Sequence, residues 1–127
     1  KNNKFDLILV LDLIEHIENT DKLMSFIKKI STKNSYLFLS LPNIKNIRVP
    51  FNIYFKNTFP RTSSGIFDKT HLRWFTKKDI IKLIIKNGYK YLDSSYTDHK
   101  SRFIKYKFFE KIFGSLLAPQ FIVCGKL

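Results

Sequence analysis

The sequence predicts an α/β fold built on a mainly parallel sheet, and three observations carry that prediction. Residues 7–11 (LILVL) and 36–41 (YLFLSL) are nearly unbroken apolar runs of strand length. Such runs suit strands covered on both faces, whereas a half-solvated antiparallel strand alternates. Between them Leu23, Phe26, Ile27 and Ile30 recur at helical spacing. Strand, helix and strand within about forty residues form a right-handed crossover unit of a parallel sheet.

Each element carries its own punctuation. Asn19-Thr20-Asp21 supplies a helix cap and a first-turn acid. Thr32-Lys33-Asn34 is expected to end that helix, with Asn34 in the left-handed conformation, and Pro42-Asn43 to close the second strand. Residues 44–75 have no clean periodicity and contain Pro50, Pro60 and Gly65 among aromatic and basic side chains. A connection of that length reads as a lid or binding loop, or as a short helix masked by aromatics. Thr76 to Asp79 approximates a capping box; Ile80, Ile81, Ile84 and Ile85 form an apolar helix face, and Asn87-Gly88 stops it. A strand is expected over 89–96 and a last one over 121–126. Between them, residues 103–117 are amphipathic, with Phe and Ile among Lys and Arg.

Composition narrows the setting. The 127 residues suit one domain, and the 44% hydrophobic content with 13 Phe and 6 Tyr excludes wholesale disorder. A net charge of +13 raises nucleic acid or an anionic membrane as partners. The lysines are scattered, however, and their enrichment together with Asn, Ile and Phe is what an AT-rich coding sequence produces, so no nucleic acid is expected. Cys124 is the single cysteine, which excludes an internal disulfide, and its apolar neighbours predict a buried, inert thiol. Lys1 and Lys4 before an apolar run imitate a secretory leader, but Asp12 and Glu15 interrupt the run and no small-residue cleavage site follows. No stretch approaches the roughly 18 apolar residues of a membrane span. The expected setting is reducing and cytoplasmic, with peripheral membrane contact through the basic, aromatic 100–117 stretch as a variant of it.

Four strings together resemble the C-terminal half of a class I S-adenosylmethionine-dependent methyltransferase: FDLILVLDLIEH at 5–16, LSLPN at 39–43, FDKTHLRWFT at 67–76 and LAPQF at 117–121. They resemble that family's fourth strand and following loop, the end of its fifth strand, a D-R-T-H-L-R-F-F-T signature of one branch, and that branch's closing strand. The resemblance implies a Rossmann-like fold. Residues 1–127 would be a partial methyltransferase domain running from the fourth strand to the C-terminal strand of a seven-stranded sheet, with 44–75 as a loop or lid and 100–118 as an amphipathic insertion. The family's glycine-rich cofactor turn and the ribose-binding acid of its second strand have no counterpart, since the four glycines are far apart. The expectation is that the missing N-terminal half is supplied in cis or in trans.

By the same resemblance, Leu11, Asp12 and Leu13 would lie at the carboxyl end of a central strand and face the methionine end of S-adenosylmethionine, with His16 as a further contact or a supporting donor. His71 is the candidate catalytic base for a hydroxyl acceptor, its alternative being a buried histidine that fixes the long loop. Arg73 and Phe67 are candidate substrate contacts; Arg73 alternatively clamps the chain through Asp68 or Asp79. No metal site is apparent, because His16, His71, His99 and Cys124 lack any ligand spacing. The implied activity is O- or N-methylation of a small-molecule, glycan or lipid-linked acceptor. The rival function is a non-catalytic interaction or membrane-surface module.

Overall fold

A computed structural model describes residues 3–97 and 113–127. The order of elements is β1 (Phe5–Leu11), a single 3-10 turn (Ile14–His16), α1 (Thr20–Ile30), β2 (Ser31–Pro42), α2 (Arg48–Lys56), α3 (Lys77–Lys86), β3 (Lys90–Thr97) and β4 (Gln120–Lys126). Residues 113–117 are also helical and lead into β4. The four strands form one sheet in the order β1-β2-β4-β3. β1 runs parallel to β2 across the α1 crossover, and β4 runs antiparallel to both of its neighbours.

The expected pieces are present with shifted edges. Asn19 caps α1, its side chain accepting from the Lys22 amide at 2.9 Å. The α1–β2 junction differs from expectation: the chain passes from α1 into β2 at Ser31, so Asn34 lies inside the strand and no left-handed residue is needed there. Ser31 makes the corner, its hydroxyl donating to the Ile27 carbonyl and pairing with the Tyr89 hydroxyl. Within 44–75 the aromatics hide α2, in which Pro50 falls in the first turn where its missing amide leaves no bond unmade. The capping box of α3 is complete, and Gly88 leaves it at φ +87°, a conformation that side chains with a Cβ resist. Most of the 103–117 stretch lies outside the described residues.

One face of the sheet holds the core. Ile8 and Val10 of β1, Leu37, Leu39 and Leu41 of β2, and Phe121 and Val123 of β4 pack with Met24 and Ile27 of α1 and Ile80 and Ile84 of α3. Ile81 is only partly buried and Ile85 points outward, so the face of α3 is narrower than the isoleucine pattern suggests. The opposite sheet face is bare among the described residues. Leu7, Leu9 and Leu11 are each 56% exposed, beside Tyr36. The unbroken apolar run of β1 implies cover on both sides, and here only the alternate residues facing α1 and α3 receive it. Cys124 belongs to the bare face and is half-buried rather than enclosed; partial burial, with Asp93 nearby, raises its thiol pKa and keeps it protonated.

Candidate active site

The ends of β1, β2 and β3 and the start of β4 share one edge of the sheet, set by the pairings of Leu11 with Ser40, Pro42 with Gln120 and Thr97 with Gln120. Parallel α/β sheets bind ligands outside the carboxyl ends of their strands. Asp12 stands on this edge. Its amide continues the ladder to the Ser40 carbonyl at 3.0 Å, after which its φ of +48° turns the chain away. Aspartate tolerates this left-handed conformation better than most residues. The Asp12 carboxylate accepts from the Gln120 side-chain amide at 2.9 and 3.0 Å, so the turn is braced across the sheet edge. Leu11 and Leu13 flank it and are exposed.

Beyond the turn, Ile14 is fully buried and anchors the short 3-10 segment, which carries Glu15 and His16 inward. The 67–76 string closes over them. Leu72 and Arg73 both donate backbone amides to the Glu15 carbonyl at 2.9 and 3.2 Å. The Arg73 guanidinium donates to the Ile17 carbonyl at 3.2 Å and also to the Glu18 carbonyl. Arg73 thus clamps the chain through backbone carbonyls, not through Asp68 or Asp79, whose carboxylates are engaged by Thr70 and Thr76. An isolated bridge from Asn43 to Phe75 fixes the string to the end of β2.

This closure sets His71 against Glu15. The His71 Nε2 lies 4.0 Å from Glu15 Oε1, with both side chains nearly excluded from solvent. The His16 ring meets the His71 ring edge-on at 4.8 Å, and His16 Nδ1 is 3.1 Å from the Thr70 carbonyl. Burial raises the Glu15 pKa, with Asp12 adding repulsion against the backbone and His16, which act the other way. Burial also lowers the His71 pKa, opposed by the Ile66 carbonyl and with His16 adding to the fall. Burial thus favours the neutral imidazole. Neither Glu15 oxygen nor His71 Nδ1 has a hydrogen bond of ordinary geometry.

A second feature of the edge was not visible in the sequence. Asn43 and Asn46 are almost wholly buried. The Asn43 amide donates to the carbonyls of Ser115 and Ala118, and the Asn46 amide to those of Leu117 and Ala118. They satisfy carbonyls at the end of the 113–117 helix that would otherwise be orphaned. Nothing marks them in sequence as differing from other asparagines, since their partners lie about seventy positions away. Beside them opens a cleft of about 590 Å³ whose lining includes Asn46, Arg48, Thr62, Phe67, Leu117 and Pro119. That volume is typical of small-molecule sites. Phe67 packs edge-on against Phe59, which also meets Trp74, and the Trp74 indole donates to the Ile66 carbonyl.

The fold also brings together three side chains with metal-ligating atoms that sequence spacing keeps apart. Glu15 and His16 come within 4.8 Å of His71 through one ligand atom each, a juxtaposition across 55 positions that spacing rules do not detect.

The parallel crossover with an antiparallel closing strand beside it, and the polar turn at the carboxyl edge, match part of a Rossmann-like class I methyltransferase fold. The sequence profile of the methyltransferase-domain family matches residues 1–94, and the chain belongs to that family. Solved structures agree on the fold. A SAM-dependent methyltransferase from Archaeoglobus fulgidus matches with a TM-score of 0.60 at 16% identity, over 98% of this chain and 60% of that one. A SAM-dependent methyltransferase from Thermotoga maritima, described as a possible histamine N-methyltransferase, matches with a TM-score of 0.63 at 15% identity, over 99% and 57%. A third, from Mesorhizobium loti, gives 0.59 at 10% identity, over 97% and 62%. The chain spans about three-fifths of the length of these structures. No functionally curated protein matches it.

Proposed function

We propose that the protein containing this chain transfers the methyl group of S-adenosylmethionine to an oxygen or nitrogen of a small-molecule, glycan or lipid-linked acceptor. The observation that carries this reading is the Asp12 turn, braced by Gln120 at the carboxyl edge of β1. Leu11, Asp12 and Leu13 present backbone and carboxylate there for the methionine end of the cofactor, with His16 behind them. The fit is to that end alone, because no glycine-rich turn is present for the adenosine half. Bound there, the cofactor would supply an activated methyl group, and a hydroxyl or amine acceptor would have to give up a proton as it takes that group. His71 is the group proposed to take that proton, while Phe67, which lines the cleft, is the proposed acceptor contact. Arg73 acts here by holding the string over Glu15.

Supplying the chain with a glycine-rich N-terminal half from a relative, fused or in trans, allows methyl transfer to be measured with labelled cofactor. Incorporation into a hydroxyl or amine acceptor is expected. His71→Ala should lower turnover by about 10²-fold to 10⁴-fold with cofactor affinity nearly unchanged. Unaltered turnover in a folded variant removes His71 from the mechanism.

Peripheral membrane binding has one observation in its favour. On α2 the side chains of Tyr54 and Phe55 are about four-fifths exposed, beside Arg48 and Lys56, the aromatic and basic composition of an interfacial helix. Among the described residues no helix is long and apolar enough to cross a membrane. Sedimentation with anionic vesicles that weakens with salt supports attachment. Absence of lipid-dependent pelleting leaves α2 as part of the wall around the acceptor cleft.

A further inference from the structure

We propose that Glu15, His16 and His71 form a binding site for a divalent first-row transition-metal ion, Zn²⁺ being the natural occupant by ligand type. Two imidazoles and one carboxylate are a common donor set for such ions, leaving further positions open. The three ligand atoms lie within 4.8 Å of one another. Geometry then guarantees a point within about 2.8 Å of all three, against bonds of roughly 2.0–2.2 Å to nitrogen and oxygen. Side-chain adjustments of less than about 1 Å therefore close the site.

The polar bookkeeping of the cluster is the second, independent observation. Glu15 is 1% exposed and His71 6%, yet both Glu15 oxygens and His71 Nδ1 lack hydrogen-bond partners. The His71 nitrogen that faces Glu15 is Nε2, and its 4.0 Å from Oε1 is too long for a hydrogen bond. Buried polar groups are nearly always paired, and exceptions ask for a ligand. A cation between Glu15 and His71 Nε2 engages the unpaired carboxylate oxygens and balances their buried charge.

The surroundings already do what a metal site requires. His16 Nδ1 donates its proton to the Thr70 carbonyl at 3.1 Å, fixing the tautomer that leaves Nε2 with a free lone pair, the outer contact usual for a metal-bound histidine. The Glu15 backbone is held by two amides of the 67–76 string, so the ligand from one segment and the ligand from the other are tied together before an ion arrives. With an ion bound, the lone pairs of His71 and Glu15 are engaged, so proton removal by His71 belongs to the metal-free protein. The metal proposal stands on the cluster alone and does not require methyl transfer.

Titration of the metal-free chain with Co²⁺, followed by its visible ligand-field absorption, tests the site directly. One equivalent of saturable binding is expected, with a spectrum typical of four or five nitrogen and oxygen ligands and full displacement by Zn²⁺. Glu15→Gln and His71→Ala should each weaken binding at least about tenfold. His16→Asn should do the same, and because His16 is only half-buried this variant separates ligation from core damage, which circular dichroism monitors in all three. Cys124→Ser should leave the spectrum unchanged. Absence of ligand-field bands from the folded chain, bands unaffected by His16→Asn, or bands that vanish with Cys124→Ser would each overturn the proposal. A chain that transfers no methyl group but binds Co²⁺ in this pattern retains the metal site, so the two readings fail separately.

Discussion

At the residue scale, the most legible local design is the start of α3. The Thr76 hydroxyl and amide both donate to the Asp79 carboxylate, at 2.6 and 2.9 Å, while Thr76 Oγ1 accepts from the Asp79 amide. The Thr76 hydroxyl first, and its amide second, hold the Asp79 carboxyl below its usual pKa. A folded-state pKa lower than the unfolded one contributes stability above the unfolded value, near 4, and loses it as pH falls through the folded value. Acid titration of Asp79→Asn should therefore show a shallower loss of stability below about pH 4 than the parent chain shows. Thr76→Ala should cost about 1 kcal/mol in denaturant unfolding, with no loss of sheet structure. An identical acid limb in the Asp79 variant would contradict this assignment. This capping box could be read from the sequence because its partners are three residues apart. The Glu15–His71 pair could not, because a chain reversal through the whole 44–75 segment creates it.

Among the elements, close approach of α3 to β4 is decided at Gly125. A Cβ placed there would lie 2.9 Å from Ile84 Cδ1 and 3.3 Å from Tyr89 Cβ. Ile84 can swing its terminal methyl, but the Tyr89 Cβ is fixed near the backbone, so relief requires the chain entering β3 to move away from β4. Gly125→Ala should destabilise by about 1–3 kcal/mol, and Gly125→Val more. Parental unfolding midpoints in both would show that α3 is not packed this tightly. The strands themselves were legible, since each apolar run became one, yet their environment was not. An apolar run specifies a strand that can be covered on both sides; the cover has to come from residues elsewhere. The α2 helix shows the converse failure. Its exposed Tyr54 and Phe55 blur the apolar periodicity from which a surface helix is recognised.

For the whole molecule, the core of the described residues, which covers one face of the sheet, bears on behaviour in solution. Leu7, Leu9, Leu11 and Tyr36 make a contiguous exposed apolar strip on β1 and β2, and a strand edge beside such a strip is a template for association. The isolated 127-residue chain should self-associate in sedimentation velocity. Leu9→Lys should shift it towards monomer with little loss of stability, because Leu9 packs on nothing that α1 or α3 provides. A compact parental monomer would contradict the one-sided core. The family fold was recognisable from four short strings because each string is contiguous in sequence. Partners that converge from distant segments, Gln120 on Asp12 and the two buried asparagines on 115–118, emerged only with the topology.

The proposed docking of the cofactor's methionine end at the Asp12 turn is tested most directly by amide NMR of the Leu9→Lys chain titrated with S-adenosylhomocysteine. Without a glycine-rich turn, binding should be weak, with shifts concentrated on Leu11, Asp12, Leu13, Glu15 and His16 and reduced by Asp12→Ala. Shifts confined to other parts of the sheet, or none at 11–16 at the solubility limit of the ligand, would contradict it.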